Sequence, residues 1–172
     1  RADTPVRPYA PCWGRTLVLR IGIGGIGGRM GREISAAAQA DPAFALVGGV
    51  ARSRAGSGAF ESAVRVVDDV TDLLPALDVL IDFTSPEATV RHARASADAG
   101  RPFVCGVTGL TTEQLDVLRV ASRAVPVFYA RNMSLGVSTL IAALPMIVRA
   151  LDGYDVEIVE THHRHKADSP SG

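Results

Sequence analysis

Apolar and polar positions along the chain fall into alternating strand-like and helix-like segments. Residues 16–23 (TLVLRIGI) form a β-branched, nearly continuous apolar run, which is typical of a strand buried on both faces. Residues 30–40 are rich in helix formers and end before Asp41-Pro42, a pair that stops helices. Further strand-like runs occupy 44–51, 64–67, 78–83, 102–107 and 125–129.

Helix start signals stand between the later strands. Ser85 followed by Pro86 predicts an N-cap and a first helical turn. The string TTEQ beginning at Thr111 fits a capping box that opens another helix, and a longer apolar helix is predicted over 134–150. His92 falls within the first of these helices, and we expect it at the surface.

This alternation predicts the fold class. Strands and helices at this spacing form right-handed crossovers, which build a parallel sheet with helices on both faces, as in Rossmann-like α/β domains. Residues 155–160 (DVEIVE) alternate instead, which predicts a strand with one solvated face in a second, α+β domain. We therefore predict a disordered leader over 1–15, an α/β domain over 16–132 and the beginning of the second domain over 133–172.

Composition narrows the class of protein. Hydrophobic residues make up 47% and charged residues 21% of the 172 residues, so the chain can bury a core. Lys and Arg number 18, as do Asp and Glu, and this balance disfavours a nucleic-acid binder. No apolar run approaches the roughly 20 residues of a membrane span. Cys12 and Cys105 are too few for a disulfide framework or a cysteine-based zinc site and suit a reducing cytoplasm; we expect Cys105 to be a buried small hydrophobe.

The glycine cluster GIGGIGGRMG over 22–31 permits two registers. One is GxGxxG over 22–27; the other, GxxGxxG over 25–31, is preferred because it leaves the strand intact through Ile23 and places its last glycine inside the helix. A pyrophosphate needs backbone N–H donors at close range, without a side chain in the way. The alternative is a tight turn without a ligand, but such a turn needs one or two glycines and not six. The cluster therefore favours a dinucleotide site.

The end of the second predicted strand bears on the kind of dinucleotide. NAD-preferring sites usually place an acidic residue there to hold the ribose hydroxyls. Residues 51–54 read ARSR, with two arginines and no acid. Because arginine pairs well with a 2′-phosphate, Arg52 favours NADPH; the alternative is a solvated basic loop.

Three of the four histidines lie in the string ETHHRHKADSPSG over 160–172. A metal site is one interpretation, although neighbouring residues of an extended chain point to opposite faces, so that His163 and His165 could converge and His162 would not. A solvated basic loop is the second interpretation. The third is an anion pocket in which a histidine donates a proton while Lys166 neutralises substrate carboxylates.

Several of these strings together resemble one known family. HHRHKxDxPSG over 162–172 looks like the signature of 4-hydroxy-tetrahydrodipicolinate reductase (dihydrodipicolinate reductase), and GIGGRMG over 25–31 looks like the nucleotide loop of that family. Further matches are DFTxPE at 82–87, GxTG at 106–109 and NxSxG at 132–136. The similarity extends from about residue 21 to the last residue, in the order and spacing of the family.

The resemblance implies an oxidoreductase of amino-acid biosynthesis. The family reduces 4-hydroxy-tetrahydrodipicolinate to tetrahydrodipicolinate on the diaminopimelate route to lysine; we expect NADPH as the preferred cofactor and NADH as a second one. The implied protein is a cytoplasmic homo-oligomer, a tetramer in the family, that binds a small cyclic dicarboxylate and no nucleic acid, membrane or metal. The alternative is a non-catalytic NADP-binding module, a truncated and inactive copy.

The resemblance also assigns roles to residues. His162 matches the proton donor and Lys166 the second catalytic group, while His163, Ser171 and Gly172 match contacts to the substrate carboxylates. Together with Arg52, the predicted cofactor contacts come from the glycine loop and two later loops, and are Gly25, Ile26, Gly27, Gly28, Arg29, Met30, Gly106, Val107, Thr108, Ala130, Arg131, Asn132 and Met133. Residues 16–132 would then bind the dinucleotide, and residues 133–172 would begin the substrate-binding and oligomerisation domain.

Some positions depart from the family pattern. The family often has Glu-Arg where Arg52-Ser53 stands, which weakens NADH use, and Arg131 and Met133 replace residues that are commonly small and aromatic. The family also continues beyond the Ser-Gly pair with a threonine and most of a mixed-sheet domain. We therefore expect an incomplete second domain, with exposed strand edges and little turnover by this chain alone.

Overall fold

The computed structural model describes residues 18–51 and 64–157, together with Val159 and Thr161. Its strands are β1 (Leu19–Gly24), β2 (Phe44–Val50), β3 (Arg65–Val67), β4 (Val79–Asp82), β5 (Phe103–Cys105) and β6 (Val127–Tyr129). Its helices are α1 (Arg29–Ala40), α2 (Pro86–Asp98), α3 (Thr112–Ala121) and α4 (Leu135–Ala150). Two short 3-10 turns, Val70–Asp72 and Leu74–Ala76, lie between β3 and β4 and were not predicted from the sequence.

The strands form one parallel sheet in the order β3-β2-β1-β4-β5-β6. The chain moves outward from β1 to β3 and then returns to the other side of β1 for β4. The strand order therefore reverses between β1 and β4, and in open α/β sheets ligands bind outside the carboxyl ends of the strands at such a point. The predicted Rossmann-like fold class is confirmed.

Apolar side chains bury both faces of the sheet. On one face Ile21 and Val79 pack with Ala38 of α1. On the other face the core includes Leu80 and Phe103 of the sheet, together with residues of the 3-10 turns and of α3. The near-continuous apolar character of β1 and β4 follows from this burial on both faces.

The predicted N-terminal caps of α2 and α3 are present. The Ser85 hydroxyl accepts a hydrogen bond from the Ala88 amide at 3.4 Å at the start of α2, and Gly100 takes the left-handed conformation (φ +65°) after its end. Thr111 and Gln114 form the expected capping box of α3. Local side-chain chemistry thus determines where these helices begin.

The chain beyond β6 differs from the prediction. Helix α4 has the predicted extent and contains Pro145, but none of its residues is buried. The predicted strand over 155–160 is not seen in its described part: residues 155–157 are exposed and outside any strand. A strand needs a hydrogen-bonded neighbour, and the sheet that the structure describes ends at β6 on this side. Among the described residues, no helix combines the length and apolarity that crossing a membrane requires.

Candidate cofactor site

The glycine turn joins β1 to α1 at the switch point of the sheet. Gly25 has a φ of +79°, which favours glycine, and its amide donates to the Val50 carbonyl at 2.9 Å. The Gly28 amide donates to the Gly25 carbonyl at 2.9 Å and closes the turn. Strand β1 ends at Gly24 and α1 contains Gly31, which is the arrangement that the 25–31 register predicts.

The first turn of α1 is open at its amino end. Gly28 is the N-cap residue, no side chain caps the helix, and its first turn carries no acidic residue. Gly28, Arg29 and Met30 are all exposed, while the Ile26 side chain is fully buried under the turn. Free backbone N–H groups at a helix N-terminus bind anions, because the helix dipole adds to their positive charge.

Gly31 allows the helix to approach the turn closely. A Cβ at this position would collide with the Gly25 carbonyl oxygen and with the backbone of Ile26. A Cβ at Gly28 would lie 3.1 Å from the same carbonyl oxygen, which is tighter than ordinary contact. The turn therefore keeps its shape only because these positions lack side chains.

A cleft of about 470 Å³ lies between this turn and the loops that follow β4 and β5. The glycine turn contributes one wall, and the two loops contribute the other. The lining residues are Gly28, Arg29, Met30, Phe83, Thr84, Ser85, Pro86, Gly106, Val107, Thr108 and Gly109. The absence of a side chain at Gly106 makes room for the Phe83 ring, since a Cβ there would collide with it.

A second, more apolar cavity of about 630 Å³ adjoins the cleft. Met30, Phe83 and Gly106 line both spaces, so the two are neighbours. The segment after β6 forms the far wall of the second cavity with Ala130, Arg131, Asn132, Met133 and Ser134. The structure thus brings the glycine turn, the loop after β5 and the segment after β6 to one edge of the sheet.

A third cavity of about 490 Å³ lies at the carboxyl end of β2. It shares Gly25 and Gly28 with the glycine turn and reaches Val50 and Ala51 at the end of β2. The charged and titratable residues that line it are Asp68, Glu87, Arg91 and His92.

Sequence reasoning missed a buried carboxylate beneath the cleft. Asp82, at the end of β4, is fully buried. Its carboxylate accepts hydrogen bonds from the Thr84 amide at 3.2 Å, the Thr84 hydroxyl at 2.7 Å and the Thr89 hydroxyl at 2.6 Å. These bonds fix the loop after β4, which lines the cleft. The available signal was an Asp followed two residues later by Thr at a strand end, a pattern typical of an Asx-turn.

The prediction that His92 lies at the surface is wrong. His92 is only 5% exposed, and its Nδ1 lies 3.3 Å from an Asp82 carboxylate oxygen without hydrogen-bond geometry. The buried carboxylate gives the imidazole a charged neighbour inside the protein, and no sequence pattern on α2 indicates this. Cys105, in contrast, is buried as predicted, and burial raises the pKa of its thiol to about 11, which makes it a poor nucleophile.

Several candidate residues lie outside the part of the chain that the structure describes. These are Arg52, His162, His163, Lys166, Ser171 and Gly172. Within the described ranges, His, Cys, Asp and Glu side chains form no group of three or more that could hold a metal ion.

The fold and the glycine turn define a Rossmann-type nucleotide-binding domain. Two protein-family models match the chain and identify its family within this class. The family model described as "Dihydrodipicolinate reductase, N-terminus" matches residues 19–133, and the one described as "Dihydrodipicolinate reductase, C-terminus" matches residues 136–172. The chain belongs to the dihydrodipicolinate reductase family.

Individual relatives agree with this assignment. The chain is 44% identical over 165 residues to a 4-hydroxy-tetrahydrodipicolinate reductase of Anaeromyxobacter dehalogenans, covering 89% of this chain and 60% of the relative. It is 41% identical over 165 residues to the enzyme of that name from Burkholderia multivorans, covering 90% of this chain and 62% of the relative. The chain therefore spans about three fifths of the length of these curated relatives.

Solved structures show the same fold. The dipicolinate-bound dihydrodipicolinate reductase from Paenisporosarcina sp. TG-14 superposes with a TM-score of 0.70 at 28% identity, covering 90% of this chain and 62% of that chain. The putative oxidoreductase YvaA from Bacillus subtilis has a TM-score of 0.62 at 16% identity, covering 77% of this chain and 41% of that chain, a likeness of fold alone.

Proposed function

We propose that this chain carries the cofactor-binding part of an NAD(P)H-dependent 4-hydroxy-tetrahydrodipicolinate reductase. The reaction reduces a small cyclic dicarboxylate to tetrahydrodipicolinate on the diaminopimelate route to lysine, in the cytoplasm. The observation that carries the proposal is the glycine turn, which opens α1 toward a cleft bordered by two loops of the family pattern. In this proposal residues 16–132 form the dinucleotide-binding domain, after a leader over 1–15, and residues 133–172 begin the substrate-binding and oligomerisation domain of a homotetramer.

The shape of the turn fits a pyrophosphate. The uncapped first turn of α1 offers backbone N–H groups, and the positions nearest to the phosphates carry no side chain that would block them. The six turn positions from Gly25 to Met30 would hold the pyrophosphate. The bound dinucleotide would supply a hydride to the substrate ring.

The loops after β5 and β6 would border the nicotinamide. Gly106, Val107 and Thr108 line the cleft beside the turn, and the segment from Ala130 to Met133 closes the adjoining cavity. These loops would orient the ring and exclude water from it. Fixing the reacting atoms in this way contributes to the rate by positioning.

The acid and the anion-binding groups come from the signature over 162–172. His162 would donate a proton to the ring as negative charge develops there, and Lys166 would stabilise that charge in the transition state. His163 and the backbone amides of Ser171 and Gly172 would hold the substrate carboxylates. Support for these roles comes from the match of the string HHRHKxDxPSG to the family.

We infer that NADPH is the preferred cofactor and NADH a second one. Residues 51–54, at the end of β2, carry Arg52 and Arg54 and no acid, and an arginine pairs with the 2′-phosphate that only NADPH has. Replacement Arg52→Glu is expected to shift the ratio of NADH to NADPH affinity toward NADH. An unchanged ratio would remove Arg52 from cofactor selection.

The proposed function is tested by titrating the chain with NADPH in the presence and absence of pyridine-2,6-dicarboxylate, a planar mimic of the substrate. We expect weak NADPH binding that the dicarboxylate strengthens. Dicarboxylate binding should be strengthened by NADPH to the same extent, because the two ligands would bind next to each other in one active site. NADPH binding that is indifferent to the dicarboxylate would indicate a non-catalytic nucleotide-binding module. Absence of NADPH and NADH binding would contradict the proposal.

A further inference from the structure

We propose that Asp68 is the acidic residue that contacts the adenosine ribose of the cofactor and that it limits the preference for NADPH. This inference rests on the proposed function. The residues that follow β2 in the sequence, ARSR over 51–54, include no such acid. The structure places one beside that position, on the neighbouring strand.

The register of β2 and β3 brings Asp68 next to Ala51. Val50 pairs with Val67 in the parallel ladder, and the Ala51 amide donates to the Val67 carbonyl at 2.9 Å. Asp68 and Ala51 therefore leave the sheet side by side at its carboxyl edge. In Rossmann-type domains the acid that binds the ribose hydroxyls stands at the end of β2, so Asp68 is displaced from that place by one strand.

The cavity at the end of β2 connects Asp68 with the glycine turn. Its volume is about 490 Å³, and Gly25 and Gly28 line it together with Ala51 and Asp68. A dinucleotide whose pyrophosphate lies on the turn would therefore direct its adenosine half into this cavity. Asp68 is exposed and available to a ligand.

The adjacent acid is engaged elsewhere. The Asp69 carboxylate accepts hydrogen bonds from the Thr71 amide at 2.9 Å and from the Thr71 hydroxyl at 2.7 Å, where it caps the 3-10 turn. These bonds lower the pKa of Asp69. Asp69 thus has a structural role, and it does not line the cavity as Asp68 does.

A carboxylate at this place discriminates between the two cofactors. It accepts hydrogen bonds from the free ribose hydroxyls of NADH, and it repels the 2′-phosphate of NADPH. Arg91, which also lines the cavity, has the reverse preference, as Arg52 has in the proposed cofactor selection. Selectivity is then a balance of opposite charges, which agrees with the proposed use of both cofactors.

The test compares dissociation constants for NADPH and NADH in the whole chain and its variants. Asp68→Asn is expected to weaken NADH binding and to shift the affinity ratio toward NADPH by about tenfold, since one repulsive charge is removed. Asp72→Asn is the matched control: it removes the same charge from the exposed 3-10 turn nearby, outside the cavity, and should leave the ratio unchanged. Thermal unfolding of each variant checks that the fold is retained.

Glu87→Gln distinguishes the effect of Asp68 on the affinity ratio from that of Glu87, the other acidic residue that lines the cavity. A ratio that moves in Glu87→Gln but not in Asp68→Asn would overturn the assignment to Asp68, as would a ratio that Asp68→Asn and Asp72→Asn change equally. The proposed function survives either result. A wild-type chain that binds neither dinucleotide would instead refute the proposed function, and the inference with it.

Discussion

Asp82 illustrates at the scale of one residue how a buried polar group shapes the site. Its carboxylate is removed from water and accepts three hydrogen bonds from the loop after β4 and from α2. Burying an acceptor that has such hydrogen-bond partners costs little folding free energy. A buried group without suitable partners instead carries the full penalty of desolvation. The role of the Asp82 carboxylate could have been predicted from the sequence. The burial of His92 beside it could not, because it depends on the tertiary packing of α2 against β4.

We predict that Asp82→Asn lowers the free energy of unfolding by about 1–3 kcal/mol. The side chain keeps its size, but the new amide group directs a donor at hydroxyl and amide donors. Urea denaturation measures this loss of stability. The chain should also bind NADPH less tightly, because the loop after β4 lines the cleft. Asp98→Asn, at the exposed end of α2, serves as the control and should leave both quantities nearly unchanged. A variant as stable as the wild type would show that these hydrogen bonds contribute nothing net.

At the scale of elements, the turn between β1 and α1 was the most predictable part of the site. Six glycines among the ten residues from Gly22 to Gly31 indicate a tight turn with close backbone approach between the apolar strand and the helix, and the 25–31 register followed from keeping the strand whole. The caps of α2 and α3 were equally predictable, because capping is local chemistry. The 3-10 turns were not, since short apolar and polar stretches without periodicity carry no clear signal.

Gly31→Ala tests the contact between α1 and the turn. The added methyl group meets backbone atoms of Gly25 and Ile26 that cannot rotate away, so the turn must shift. We expect NADPH affinity to fall by about tenfold or more, because phosphate binding depends on sub-ångström placement of the amides. Gly136→Ala is the matched control in the first turn of α4, where a Cβ would meet only Ser134 Oγ at 3.9 Å. Equal affinities of the two variants would contradict this reading of Gly31.

The amino ends of β1 and β4 are joined by an ion pair. The Arg20 side chain donates to the Asp78 carboxylate at 2.7 and 3.1 Å, and its amide donates at 2.8 Å. These bonds lower the pKa of Asp78 to about 2, below the roughly 3.9 of an unfolded chain. The pair therefore stabilises the fold above about pH 4, and this contribution is lost as the pH falls toward 2.

Asp78→Asn should consequently lower the urea midpoint slightly at pH 7 and have less effect near pH 2. The expected change is small because both side chains are partly exposed to solvent. Denaturation curves at the two pH values measure the difference between wild type and variant. A difference that grows on acidification would show that the sign of this linkage is wrong.

At the scale of the whole molecule, the parallel sheet followed from the alternation of strands and helices, whereas the strand order came only from the structure. The chain after β6 was less predictable. The apolar pattern of α4 indicated a helix correctly, yet the pattern of 155–160 indicated a strand that the described residues do not show. Periodicity predicts which face of an element can be buried, but a strand forms only where another strand pairs with it. The position of Asp68 beside Ala51, at the end of the adjacent strand, likewise became known only from the register of β2 and β3.

The most direct test of the account is a structure of the chain with NADPH and pyridine-2,6-dicarboxylate bound together. We expect the pyrophosphate to lie on the amides of Gly25 to Met30 and the nicotinamide to lie beside Gly106 to Thr108. We also expect the dicarboxylate to contact His163 and to lie within reach of His162 and Lys166. A nicotinamide far from His162 and Lys166, or a pyrophosphate bound away from the glycine turn, would contradict it.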